Sequence, residues 1–483
     1  MEDILTKFYN FHLKKNKRRT ILITVVAVLF VAISSWLLSL HSGEPGALGN
    51  LWDLRLNLLA TFISFIIAYY AIVFVTKNLS LHEDEIKASY LNSNLQAQYS
   101  PKGINKHGYR KSFSLHDKSG RFVVYVNDLY RQQKDNHLYF SDDADKHFEL
   151  ELYIMMHVGT LYGAHASSKT VSELTVRLND FKPNTKEDPK AIAYTNRSTY
   201  LAHLLTNRAI DYPLENDLTV RKIYENTETL TPLKRSKLSN HIGVNALVFL
   251  KDNILVLPKR GKDATVAKNG VTASIATRLN LDAYEKCFSD TVKEVDEKTI
   301  SNSCVVGKLT SSLLIQEQYD AELQAQMKAN MHFLGLSRDP YEGGKPTLFY
   351  YFQLDMTKEE FVSKLNPHYQ PEGIDAVHEL LFVPWENVRI TPWEMKIQEH
   401  DANPTAKPLT DSERLIMEDK EYDQSRLLLC KPEHYMYSAK KKKYTTKKSK
   451  ENEVFIFEQN LIANLWFYVN KDKTDNEIQS QLY

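Results

Sequence analysis

At 483 residues the chain has room for two or three domains, and a net charge of +1 leaves no global electrostatic case for a nucleic-acid partner. Its three cysteines, Cys287, Cys304 and Cys430, are widely spaced and form no CxxC pair. They argue against a disulfide framework or a zinc site and fit a reducing compartment.

The first predicted elements are apolar. Residues 21–40 read ILITVVAVLFVAISSWLLSL and residues 56–75 read LNLLATFISFIIAYYAIVFV, neither carrying a charge. About 20 apolar residues are the length of a helix that crosses the hydrocarbon core, and neither run alternates as a strand would. HSGEPGALGN between them reads as a turn. The sequence therefore predicts a transmembrane hairpin over 21–76, with helices at 21–40 and 54–76. Lys14, Lys15, Lys17, Arg18 and Arg19 precede the first helix, and the connecting turn has no Lys or Arg. The positive-inside rule then puts both termini in the cytoplasm of a two-pass inner-membrane protein. Trp52 lies where an interfacial belt residue would, and Asn57, Thr61 and Ser64 form a weak polar stripe suited to helix contact. A lone signal peptide fits less well, because the first run is long, lacks an A-x-A site and is followed by a second span.

Residues 77–112 are polar and read as a helical stalk. A lead-in region of mixed α+β character is expected over 113–234. It includes the alternating run GRFVVYVNDLY, a strand, and STYLAHLLTNRAI, a helix. Residues 235–400 are expected to form the main domain. HIGVNALVFLKDNILVLPKR reads as two strands joined at Lys251-Asp252-Asn253, and NGVTASIATRLNL as a third. A charged insertion, DAYEKCFSDTVKEVDEKTISNSCVVGK, separates these from the helix SSLLIQEQYDAELQAQMK. There follow the strand MHFLGLSRD, the turn PYEGGKP, the strand TLFYYFQLDM, and a helix that Thr357 caps with Glu360. A C-terminal extension over 401–483 holds the basic run SAKKKKYTTKKSK, either a solvated loop or a contact for anionic lipid, and closes on a packed element, EVFIFEQNLIANLWFYV.

From about 195 to 395 this order, with the local phrases GVNALVFLKDNILVLPKR and FLGLSRDPYEGGKPTLFYYFQL, resembles the Nudix fold. The implied fold class is an α+β membrane protein: the two-helix transmembrane hairpin plus a cytosolic Nudix-like α/β sandwich with an additional α+β region. The catalytic box of the family needs a Gly, a Glu and Arg-Glu-x-x-Glu-Glu ahead of a Gly, so that several carboxylates on one helix face hold Mg²⁺. Here Gln316-Glu317-Gln318-Tyr319-Asp320-Ala321 keeps only Glu317 and Asp320, and no Gly follows at box spacing. These two acids, at i and i+3, share a helix face. Mg²⁺ is expected only if they act, and otherwise no cofactor and no catalytic residue.

The resemblance thus implies a nucleotide-binding domain with a degenerate hydrolytic centre. Lys259, Arg260, Lys262, Arg338 and Lys345 are the candidate phosphate contacts, and Glu317 is the retained acid. Tyr350 or Tyr351 is the candidate base stacker, and strand alternation sends only one of them to the pocket. No P-loop, dinucleotide glycine motif, HExxH or GxSxG is present. The sixteen histidines do not pair at metal spacing, and Gln398-Glu399-His400-Asp401 reads as a polar loop.

Three functions are compatible with this pattern. The first, resembling bacterial anti-phage effectors, binds a nucleotide-type signal and alters the transmembrane module. Two helices cannot enclose a pore, so it requires homo-oligomers. The second is a membrane-tethered hydrolase of a nucleoside diphosphate derivative, and the third a membrane scaffold without ligand. The expected partners are a lipid bilayer, a nucleotide-type small molecule and further copies of the chain, with no nucleic acid.

Overall fold

A computed structural model describes residues 109–477 apart from 114, 116–121, 164–172, 216–217, 226–228, 262–269, 306–311, 370–376, 392–425, 439–442, 456 and 475–476. The predicted transmembrane hairpin, and the stalk up to 108, lie outside the described residues.

The chain enters through a two-stranded ribbon, β1 (Arg110–Phe113) and β2 (Phe122–Tyr125), and continues into β3 (Asn127–Arg131) and β4 (His137–His147). Two short helices, α1 (Leu152–Met156) and α2 (Val158–Gly163), precede β5 (Leu174–Lys182) and β6 (Lys190–Thr199). Thr199 then caps α3 (Tyr200–His203), its hydroxyl accepting from Ala202 N at 3.0 Å. A π-helical turn (Leu204–Arg208) and α4 (Val220–Tyr224) follow.

The next stretch holds β7 (Gly243–Leu250), β8 (Ile254–Arg260) and β9 (Ile275–Arg278). The hairpin predicted at Lys251-Asp252-Asn253 is present, with Asp252 at φ 64° and Asn253 at φ 56°. Both are residue types that tolerate the left-handed region. The charged insertion forms α5 (Leu281–Glu285), β10 (Glu294–Asp296) and α6 (Glu297–Cys304). After it come α7 (Glu317–Ala329), β11 (Met331–Asp339), β12 (Lys345–Gln353) and α8 (Lys358–Ser363). Both hydrogen bonds of the Thr357–Glu360 capping box are made. The remainder supplies β13 (Val377–Pro384), β14 (Val388–Thr391), β15 (Arg426–Leu429), β16 (Glu433–Ser438), β17 (Lys443–Lys448), β18 (Glu453–Phe455) and α9 (Gln459–Val469).

A nine-stranded mixed sheet organises these elements, in the order β17-β16-β13-β8-β7-β12-β11-β3, with β9 also paired to β7. β7 and β12 run parallel. All eight residues of β7 are buried, because both sheet faces are covered. That is why GVNALVFL reads as a nearly continuous apolar run with no polar face. Val244, Ala246, Val248 and Leu250 enter one core, shared with the four-stranded sheet β10-β4-β6-β5 and with α6 and α7. Leu247 and Phe249 enter a second core against α9 and the three-stranded sheet β14-β15-β18. On this side Phe467 of α9 stacks on Phe349, centroids 4.9 Å apart. Gly335 of β11 makes the approach possible, since a Cβ there would sit 2.5 Å from Tyr130 O and 2.6 Å from the Phe467 ring.

The expected fold class is corrected by this arrangement. In place of an α+β membrane protein with a Nudix-like α/β sandwich and an additional α+β region, the described residues form a mixed α/β, mostly sheet structure. No described helix is long and apolar enough to cross a membrane. α7, with 13 residues, is shorter than the ~20 a span needs. The physical reason is strand sharing. β3 of the predicted lead-in, and β16 and β17 of the predicted extension, hydrogen-bond into the same sheet as β7 and β12. The insertion likewise donates β10 to the four-stranded sheet. Of the basic run, the described residues Lys443–Lys448 form the edge strand β17. Tyr444 is buried, its hydroxyl donating to Val377 O at 2.7 Å, while Lys443, Lys447 and Lys448 face solvent. Lysines on an edge strand oppose pairing with another chain.

Candidate functional site

A cleft opens at the end of the large sheet where the parallel strands β7 and β12 begin and β8 and β9 end. Its empty volume, mouth included, is about 590 Å³. Tyr200 and His203 of α3, His241, Asn245 of β7, Arg260 of β8, Arg278 of β9, Lys345 and Thr347 of β12, and Glu458 and Asn460 at the start of α9 line it. Three cations thus face one carboxylate.

The sequence builds each wall locally. Asn240, at φ 45°, turns the chain into His241. Asn207 holds that turn, its side chain accepting from Asn240 N at 2.9 Å and donating to Asn240 Oδ1 at 3.0 Å. The same Asn207 amide donates to Glu342 O at 2.8 Å, fixing the turn before β12. In that turn Gly343 and Gly344 have φ of +61° and +86°, which the predicted PYEGGKP turn requires. Arg338 Nε donates to Gly344 O at 3.1 Å. A Cβ at Gly243 would crowd Thr347, lying 3.1 Å from its Oγ1.

Aromatic and charged groups then converge. The His203 and His241 rings stack with centroids 3.7 Å apart, and Tyr200 stacks on His241 at 5.8 Å. The Arg278 guanidinium lies 5.1 Å from the Tyr200 ring centroid and pairs with Glu173. Arg260 donates to Ala276 O at 3.2 Å. Lys345 Nζ is 3.0 Å from Glu342 Oε2, and Arg208 pairs with the same carboxylate. Although burial works the other way, these two cations hold the Glu342 carboxyl below its usual range. Asp339 moves up, through burial and the neighbouring Glu342 charge. Burial, then His203, Lys345 and Arg278, push the His241 imidazole well below its ordinary value, so His241 is neutral at physiological pH.

Of the residues expected from sequence, Arg260 and Lys345 line this cleft. Arg338 is buried behind it and braces the glycine turn. Lys259 points elsewhere, 3.2 Å from Glu379 and over the Phe455 ring. Lys262 lies outside the described residues. Tyr350 is fully buried in the first core, where its hydroxyl accepts from Ser301 at 2.7 Å, and Tyr351 stacks on His332 at 4.5 Å, so neither lines the cleft. Glu317 is exposed at the start of α7. Asp320 accepts from Gln324 Nε2 at 2.6 Å within the same helix, and neither acid lines the cleft. Among the described residues, no group of three His, Cys, Asp or Glu side chains is placed to hold a metal.

Sequence reasoning missed Tyr200, His203, His241, Asn245, Arg278, Glu458 and Asn460. His203 and His241 are far apart in the chain and adjacent in space, and Glu458 arrives from the C-terminal extension, so no local spacing links them. What fold and cleft together define is a mixed-sheet protein with a cleft walled by cations and aromatic rings. No protein-family model matches the chain, and no curated protein matches it either.

Proposed function

We propose that the protein binds a nucleotide-type anion in this cleft and acts as an effector of that ligand. The observation that carries the reading is the convergence of Arg260, Arg278 and Lys345 beside the Tyr200–His241 stack. Guanidinium and ammonium groups suit phosphate oxygens. The N-terminus of α9, an 11-residue helix whose first residues line the cleft, adds a partial positive charge. A ring platform next to such a group suits a nucleobase.

Glu317 and Asp320, the acids retained from the catalytic box, do not line the cleft, which favours binding without turnover. The output is proposed from sequence. The uncharged segments 21–40 and 56–75 suit a bilayer, and ligand binding would change how copies of the chain assemble there and make the membrane leak. Such coupling requires different ligand affinity in the two assembly states.

The test is a panel of nucleoside mono-, di- and triphosphates offered to the full-length chain with Mg²⁺, following binding, product and liposome leakage. Binding without product, with ligand-dependent leakage, is expected. Product formation abolished by Glu317→Gln would favour the hydrolase, and binding of none of the panel the scaffold.

A further inference from the structure

Resting on the proposed nucleotide-type ligand, we infer that the cleft is specific for a multiply charged phosphate, a terminal phosphate or diphosphate, and that His241 takes up a proton when it binds. The geometry carries this. His241 is only 4% exposed, yet it lines the cleft. Its Nδ1 is buried and has no hydrogen-bond partner among the described residues. A buried, unsatisfied ring nitrogen is costly, and a ligand oxygen reaching it would remove that cost. Its neighbour His203 lies face to face at 3.7 Å.

The charged and titratable groups around His241 come from every wall. They are Tyr200 and His203 of α3, Arg177 of β5, whose backbone bridges His241, Arg260 of β8, Arg278 of β9 with its partner Glu173, Glu342 and Lys345 of the glycine turn, and Glu458 just before α9. Without ligand, burial first and then His203, Lys345 and Arg278 outweigh Glu342 at the ring, so the imidazole stays neutral. A ligand bringing two or more negative charges reverses that balance and favours the imidazolium, whose two N–H groups then donate. A singly charged phosphodiester is already offset by Arg260, Arg278 and Lys345 and leaves little field to hold the extra proton.

The sign follows. The bound-state value lies above the empty-state value, which is itself well below the ordinary imidazole range. Affinity is therefore greatest at acid pH and falls as pH rises through the bound-state value. Between the two values, binding consumes up to about one proton, because one imidazole changes state.

Calorimetric titration of the full-length chain with ADP at pH 7.5, in two buffers of different ionisation enthalpy, counts those protons. The terminal phosphate, ionising near about 6, is already deprotonated at that pH. Net proton uptake with ADP is expected, with less than half as much for cyclic AMP, and in His241→Gln the uptake is lost and ADP binds more weakly. ADP binding without uptake, or uptake unchanged in His241→Gln, overturns the inference and leaves the ligand reading standing. Absence of ADP binding overturns the inference, and absence of binding by the whole nucleotide panel removes the ligand reading as well. Because the wild-type proton count is itself decisive, a poorly folding variant does not shelter the inference, and His203→Gln, expected to retain uptake, is a second check.

Discussion

Lys345 Nζ lies 3.0 Å from the Glu342 carboxylate, which also receives Arg208, so one buried acid restrains two cations at the edge of the cleft. An incoming phosphate competes with Glu342 for Lys345. Glu342→Gln removes the competitor, and we expect ADP to bind about tenfold more tightly, a gain of about 1.4 kcal/mol. The folded state should lose stability, since Arg208 and Lys345 then repel each other. Titration calorimetry and urea denaturation read the two effects. Weaker ADP binding would show that Glu342 orients Lys345 for the ligand and does not restrain it.

Removing the cation has the opposite effect. A charge-assisted hydrogen bond contributes about 1.5–3 kcal/mol, so Lys345→Gln or Arg278→Gln should each weaken ADP about 10- to 100-fold. Glu317→Gln, an exposed residue away from the cleft, should leave the affinity unchanged. Equal losses in all three variants would deny the cleft its role.

The site was only partly legible in the sequence. The hairpin turn, the glycine turn and the Thr357 cap depend on local residue types, and they form where those residues stand. Arg260 and Lys345 were found because they flank such local features. Tyr200, His203, His241 and Glu458 were not, because strand pairing across the sheet brings them together and no local spacing records it. Strand pairing also crosses the expected region bounds. β3 and β16 read as parts of neighbouring regions, yet they are strands of the central sheet. Tyr350 illustrates a different limit: alternation fixes which face a side chain takes, and whether that face is a pocket or a core is decided by what packs on it.

Arg221 links the core to the site. Its guanidinium pairs with Asp211 at 2.7 and 2.8 Å and donates to Pro340 O at 2.9 Å, at the start of the glycine turn. Arg221→Leu strands a buried carboxylate, and a loss of about 3–5 kcal/mol in unfolding free energy is expected. Denaturant titration checks it, and a loss under about 1 kcal/mol would mean that Asp211 finds another partner.

Gly335→Ala tests the packing of α9. The added Cβ meets a backbone carbonyl and the Phe467 ring, and overpacking of this kind costs about 1–3 kcal/mol. The denaturation midpoint should fall with an unchanged slope. An unchanged midpoint would contradict the close approach of α9 to β11.

Glu297, the first residue of α6, supplies a stability-versus-pH signature. Burial pushes its carboxyl up to about 7, against the lowering effect of hydrogen bonds from Ser301 and Tyr350. A folded-state value above the unfolded one means stability present at acid pH that is lost as pH rises through about 7. Glu297→Gln removes that dependence. The variant should gain on the order of 3 kcal/mol relative to wild type between pH 4 and pH 8, each unit of displacement carrying about 1.4 kcal/mol. Parallel pH profiles for the two proteins would show that Glu297 titrates normally.

The central claim is that a nucleotide-type anion binds between the cations at the start of β7 and β12. An experimental structure of the full-length chain with ADP tests it most directly. The account predicts phosphate oxygens within hydrogen-bond distance of Arg260, Arg278 and Lys345 and the base against Tyr200. Phosphates bound at Glu317 and Asp320 through a metal, or a cleft left empty at saturating ADP, would contradict it.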